Sequence, residues 1–302
     1  MDKNRALIVY NPASGRKKNH KTFPFIKEAL SKFGYHLTIH QLVTFSGYDP
    51  VIRNACRKKF NAIFIVGGDG TINFTIQTIA AERYRPPIGI IPFGTSNEFA
   101  QFLKIPSKID RALSIIAKKS IRTIDIGKFG DKYFANIASA GWLSDITYET
   151  SPFLKSYLGE FAYILYFFKT FFTTKQADSI SVKTVKHKHP FEDLSLFLIM
   201  KGNGVGPFER LIHQSDDNDG CFHLIICKNV NRFSFFIALV NKMLHLPLKQ
   251  TVIQHLKVES ASFTIPQHIN INLDGDKSSI KQYDFQVLPQ FINVFTNSQN
   301  EP

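Results

Sequence analysis

Residues 61–73, NAIFIVGGDGTIN, carry the reading of the fold. Ile63 to Val66 form a short apolar run of the kind a buried strand needs, and it leads directly into Gly67, Gly68, Asp69, Gly70 and Thr71. Glycines lack a Cβ, can take positive φ and let backbone N–H groups close on a phosphate. Thr71 is placed to cap a helix over 71–82, in which Ile72, Ile76, Ile79 and Ala80 recur at helical spacing. The positive end of that helix favours an anion in the turn. An ordinary glycine-rich connection has the same outline but no need of the acid Asp69.

Two further turns have the same construction. The strand Ala6 to Tyr10 ends in Asn11, Pro12, Ala13, Ser14 and Gly15, followed by Arg16, Lys17 and Lys18 and by a helix with Phe23, Ile26, Leu30 and Phe33 on one face. Ile88 to Ile91 stops at Pro92 and passes through FGTSNE, where Ser96 or Asn97 is expected to cap a helix marked by Phe99, Phe102 and Leu103. Ligands of open α/β sheets sit beyond the carboxyl ends of the strands, so three such turns can converge on one anion. Neither a GxxxxGK[ST] loop nor a GxGxxG fingerprint is present, which argues against the common nucleoside-triphosphatase and dinucleotide sites.

The pattern changes near Asp125. Before it, strands at 6–10, 37–42, 62–66 and 88–91 alternate with helices near 20–33, 48–59, 71–82, 97–103 and 108–118, the signature of a doubly wound α/β layer. After it, strands dominate, around 122–129, 133–138, 180–186, 194–200, 222–227, 252–258, 261–265, 268–273 and 283–288, and a β-sandwich is the economical arrangement. The expected fold is thus α/β: a doubly wound α/β domain over 1–125 and a β-rich domain over 126–286.

Composition narrows the function. The chain has 302 residues, 44% apolar, and a net charge of +13, enough for two packed cores and attractive to lipid headgroups, nucleotides or nucleic acid. No helix-turn-helix, zinc-finger or ribonucleoprotein motif is present to read bases, so no nucleic-acid partner is expected. Cys56, Cys221 and Cys227 lack metal-ligand spacing and read as small buried hydrophobes of a reducing compartment. His187 and His189 in KHKHP read as a solvated turn rather than a metal site. The first apolar run is the strand at Ala6, with no secretory pattern, and the cytoplasm is the expected location. Phe153 to Phe172 is aromatic, but Lys155, Glu160 and Lys169 interrupt it. It reads as an amphipathic helix packing the second domain or touching lipid, not as a span.

NPASG, GGDGTIN and PFGTSNEFA, with LGEFAYIL (158–165), DNDGCFHLIIC (217–227) and INLDGD (271–276), occur in an order that resembles the diacylglycerol kinase catalytic domain superfamily. The bacterial lipid kinases are most alike; sphingosine and ceramide kinases are more distant. The resemblance implies an ATP-dependent, Mg²⁺-requiring transfer of the γ-phosphate to a lipid hydroxyl, in a cleft between the domains, with residues from about 287 to 302 returning to the first domain. It implies transient docking at the inner face of an anionic membrane and admits a homodimer.

Carried over position by position, the resemblance assigns nucleotide contacts to Asn11, Pro12, Ala13, Ser14, Gly15, Thr44, Gly67, Gly68, Asp69, Gly70, Thr71, Ile72, Asn73 and Thr95. Asp69 would organise the catalytic Mg²⁺. Asp219, with the backbone carbonyls of Asp216 and Cys221, would hold a second, structural Mg²⁺ or Ca²⁺, although an Asp-Gly turn explains the same residues. Asp276 stands where relatives carry the glutamate that takes the hydroxyl proton, one methylene shorter, and Glu98 replaces a usual aspartate. A NAD kinase shares the GGDG turn, and a catalytically silent binder would tolerate both replacements. The lipid-kinase-like motifs at 217–227 and 271–276 favour the lipid kinase.

Overall fold

The computed structural model describes residues 4–14, 22–43, 45, 49–95, 97–141, 179–201, 219–230, 234, 252–278 and 283–297. The chain divides into two compact units, Met1–Ile126 with Pro289–Pro302, and Gly127–Leu288.

In the first unit β1 (Arg5–Tyr10), β2 (His36–Gln41), β3 (Ala62–Gly67) and β4 (Ile88–Pro92) lie parallel in the order β4-β3-β1-β2. β15 (Asp284–Phe295) adds to β4 through Val294 opposite Ile88. Every residue of β3 and β4 is buried, as expected of parallel strands covered on both faces. Ala6, Ile8 and Tyr10 of β1 pack on one side with Ile26 and Leu30 of α1 (Phe23–Lys32) and with Leu113 and Ile116 of α5 (Ile109–Ala117). α2 (Pro50–Arg57) packs against β1 and α3 (Asp69–Ala80) against β3, and the two helices touch each other. Asp49 starts α2 by accepting the N–H groups of Val51 and Ile52 at 2.8 and 3.0 Å, and its other oxygen meets His40 Nε2 at 2.7 Å. Pro50 fits this first position because a helix leaves its N–H unused there.

The second unit is built of antiparallel pairs. β13 (Ile271–Leu273) lies between β14 (Asp276–Ser278) and β7 (Ile137–Gly141), followed by β9 (Phe191–Met200), β8 (Ile180–Thr184) and β12 (Ser260–Thr264). β10 (Phe222–Lys228) pairs with β9 and then with β11 (Ile253–Val258), while β5 (Ile121–Phe129) carries the hairpin to β6 (Lys132–Phe134). One apolar core collects residues from these strands. Phenylalanines dominate it: Phe197 lies 4.3 Å from Phe263 and Phe222 meets Phe285 edge to face at 5.7 Å, geometries that add to area burial. Burial pushes the thiols of Cys56 and Cys227 up to about 12, so both act as small hydrophobes; Cys221 is only half-buried. His187 does sit in the turn from β8 to β9, where its Nδ1 meets Thr184 Oγ1 at 2.9 Å.

Among the described residues no helix is long and apolar enough to cross a membrane. The aromatic stretch 153–172 lies outside the described residues.

Candidate active site

The three turns of the first unit meet. β1, β3 and β4 run parallel, so Tyr10, Gly67 and Pro92 end at the same edge of the sheet. Asn11 Nδ2 donates to Thr71 Oγ1 at 3.1 Å, and its Oδ1 accepts the Ala13 N–H at 2.9 Å. Ser14 Oγ accepts the Gly68 N–H at 3.3 Å. A Cβ on Gly68 would stand 2.9 Å from the Gly94 Cα, and one on Gly94 would stand 2.6 Å from the Gly68 Cα. These two turns are in backbone contact, which is the reason both need glycine.

The glycines therefore work differently from the expectation. Gly67, Gly68 and Gly70 are not among the residues of positive φ; Gly68 has φ −95°. What they supply is room. Gly67 faces the Thr71 side chain, which an added Cβ would meet at 2.5 Å, whereas a Cβ on Gly70 would point into open space. α3 begins at Asp69 with Gly68 at its N-cap, so Thr71 lies inside the first turn instead of capping it. Thr71, Ile72 and Asn73 are buried beneath the turn, while Ala13, Gly70 and Thr95 are exposed and Pro12 and Ser14 half-buried. Gly15, Thr44 and Ser96 lie outside the described residues.

Asp69 caps a helix other than its own. Its Oδ1 accepts the Phe99 N–H at 3.2 Å, at the start of α4 (Glu98–Phe102). Asn97 occupies the cap position of α4 in the left-handed region, with φ 50°, but its side chain turns back: Oδ1 accepts the Gly94 N–H at 2.8 Å and Nδ2 donates to the Gly94 carbonyl at 2.9 Å. Burial pushes the Asp69 carboxyl above its ordinary value, against backbone N–H groups of Phe99, Glu98 and Asn97 that hold it down. A desolvated carboxylate of this kind gains from a nearby cation. Among the described residues no three His, Cys, Asp or Glu side chains gather as metal ligands.

Asp276 opens β14 opposite Leu273, across a two-residue loop of Asp274 and Gly275. Both loop residues have positive φ, 48° and 95°, the pattern of a type I′ hairpin. Asp274, which the sequence reading passed over, anchors this loop. Its carboxylate accepts the N–H groups of Ala135, Asn136 and Ile137 at 2.6, 2.9 and 2.7 Å, and its own N–H donates to the Ile137 carbonyl at 2.8 Å. Asn272 Oδ1 accepts the Gly275 N–H at 2.9 Å. The legible signal was Asp-Gly between strand residues.

Two of the residues expected to hold a structural metal surround a lysine. Asp219 and the Cys221 carbonyl do converge, but on the ammonium of Lys201, whose Nζ is 2.8 Å from each. Lys257 Nζ reaches the other Asp219 oxygen at 3.2 Å. Burial would raise the Asp219 carboxyl, yet Lys201 and the Cys221 N–H hold it down to about 2. Asp216 lies outside the described residues. The neighbouring His223 is buried with its Nδ1 2.7 Å from His255 Nε2, and desolvation with the charges of His255 and Lys257 lowers its pKa to about 4.

Residues 5–129 match the model of the diacylglycerol kinase catalytic domain. A diacylglycerol kinase of Staphylococcus saprophyticus is 31% identical over 295 residues, covering 97% of this chain and 95% of its own length. One of Bacillus subtilis is 32% identical over 292 residues, covering 96% and 95%. A solved diacylglycerol kinase structure from Bacillus anthracis superposes with a TM-score of 0.75 at 22% identity, covering 98% of both chains, and so shares the fold. With relatives this similar along nearly its whole length, the chain belongs to the diacylglycerol kinase family.

Proposed function

We propose that this chain is a lipid kinase that moves the γ-phosphate of ATP to a hydroxyl of a diacylglycerol-like lipid. The observation that carries the reading is the backbone contact of Gly68 with Gly94, steadied by the bond from the Gly68 N–H to Ser14. It brings two glycine turns and the NPASG turn together at the start of α3, where a helix's first N–H groups lie outside its own ladder and its dipole favours phosphate.

Pro12 to Ser14, Gly67 to Gly70 and Thr95 would meet the nucleotide. Thr71, Ile72, Asn73 and the Asn11 side chain support the turn from below. A Mg²⁺ held by the phosphates and Asp69 would offset the charge that accumulates during transfer. Asp276 takes the proton from the lipid hydroxyl as its oxygen bonds to the γ-phosphorus and the bond to ADP breaks. The Asp274 anchor fixes the backbone of the hairpin that carries Asp276. A net charge of +13 favours docking on anionic membranes.

The test is transfer of labelled γ-phosphate from ATP with Mg²⁺ to dioleoylglycerol in anionic vesicles, with sphingosine, monoacylglycerol and NAD as parallel acceptors. Labelled lipid supports the reading. Label on NAD alone would make the chain a NAD kinase, and ATP binding without transfer to any acceptor would make it a silent binder.

A further inference from the structure

We infer that Lys201 replaces a divalent cation as the staple of the β9–β10 edge, so that this unit folds without a structural metal. Lys201 follows β9, and its side chain is 1% exposed. A buried ammonium is costly unless each donor finds an acceptor. Here one proton goes to Asp219 Oδ1 and another to the Cys221 carbonyl, both at 2.8 Å, and the Phe222 ring lies 5.3 Å away. The Lys201 N–H is itself bonded to the Asn136 carbonyl at 2.9 Å, so the tether is fixed at its root.

The two acceptors are an aspartate oxygen and a backbone carbonyl, the hard oxygens a Mg²⁺ or Ca²⁺ would take. An ion bound to the same two oxygens would compete with Nζ for them. Lys257 on Asp219 Oδ2 and the Cys221 N–H on Oδ1, at 3.1 Å, use further lone pairs of the same carboxylate. Among the described residues one carboxylate faces two ammoniums, a balance that disfavours a dication. A tethered ammonium closes the same loop as an ion but cannot be removed by a chelator. The inference stands apart from the kinase reading, because none of these residues is assigned to nucleotide or lipid.

The experiment uses the full chain without nucleotide. Wild type should melt at the same temperature in EDTA, Mg²⁺ and Ca²⁺, and after dialysis from Ca²⁺ into metal-free buffer it should retain no stoichiometric ion. Lys201→Met should lower the melting temperature by roughly 5 °C or more, because it strips Asp219 and the Cys221 carbonyl of a buried partner. One Ca²⁺ retained per wild-type chain would overturn the inference without any variant. So would a Lys201→Met protein that melts as wild type does.

Discussion

The Asp274 carboxylate accepts the Ile137 N–H at 2.7 Å while the Ile137 carbonyl accepts the Asp274 N–H at 2.8 Å. This reciprocal pair ties the tip of the β13–β14 hairpin to the start of β7. Asp276, the proposed base, is two residues from that tie.

Asp274→Asn keeps a side chain that tolerates positive φ but turns one acceptor into a donor facing an N–H. Its two oxygens now serve three N–H groups, so one of them must lose its partner. Stability should fall by roughly 1–3 kcal/mol, the cost of an unpaired buried donor. Lipid phosphorylation should fall with nucleotide affinity unchanged. Urea unfolding together with calorimetry on ATP checks this, and an Asn variant with wild-type stability would remove Asp274 as an anchor.

Gly70 is the cleaner probe of the phosphate turn. Gly68→Val would press a side chain on the Gly94 backbone and destabilise the fold by roughly 1–3 kcal/mol as well as blocking phosphate. Gly70→Ala meets nothing within 4 Å and improves a helical position. It should melt at or slightly above wild type yet bind ATP roughly tenfold more weakly. Wild-type affinity in calorimetry would move the phosphate away from this turn.

Most elements could be read from period and punctuation alone. Helices placed near 48–59 and 108–118 are found at Pro50–Arg57 and Ile109–Ala117, because an amphipathic stripe survives small errors at the ends. The strand expected over 268–273 proved to be half of a hairpin, since Ile271–Leu273 and Asp276–Ser278 are too short for alternation to stand out. Caps were harder. Asn97 has the composition of a helix cap, but the role falls to Asp69, 30 residues away on another turn. Lys201 was illegible for the same reason: a lysine after an apolar strand looks solvent-bound until Asp219 and Cys221 are brought over it. Long-range polar contacts leave no local pattern.

Glu82 makes the first unit acid-sensitive. It is partnered by Arg53 and Arg57 of α2. Burial alone would raise its pKa, but the two guanidiniums overcome that and lower it below 4.5. A folded value below the unfolded one means stability that is full above about pH 4.5 and lost as pH falls through the lowered value. Glu82→Gln should cost roughly 1–2 kcal/mol at pH 7 and flatten the acid limb of stability. Urea titrations from pH 7 to pH 3 decide it; equal slopes in both proteins would refute the pairing.

Membrane docking should be electrostatic. A chain of net charge +13 should bind anionic vesicles in dilute buffer and detach as salt shortens the Debye length from about 30 Å at 0.01 M to about 8 Å at 0.15 M. Sedimentation with neutral and anionic vesicles checks this. Salt-insensitive binding to neutral vesicles would point to hydrophobic insertion instead.

Asp276 gives the sharpest test of the chemistry. If its carboxylate takes the hydroxyl proton, Asp276→Asn should keep ATP affinity and lower lipid phosphorylation by about 10²–10⁴-fold, the usual contribution of a positioned base. Asp276→Glu lengthens the reach by one methylene and restores the residue that the family resemblance implies, so it should stay active. The Asn variant must also melt as wild type does, which separates loss of the base from loss of the hairpin. An Asn variant as fast as wild type would take Asp276 out of the reaction. If wild type is inactive on every lipid and only the Glu variant transfers phosphate, the shorter acid is itself the defect, and the chain binds its ligands without turning them over.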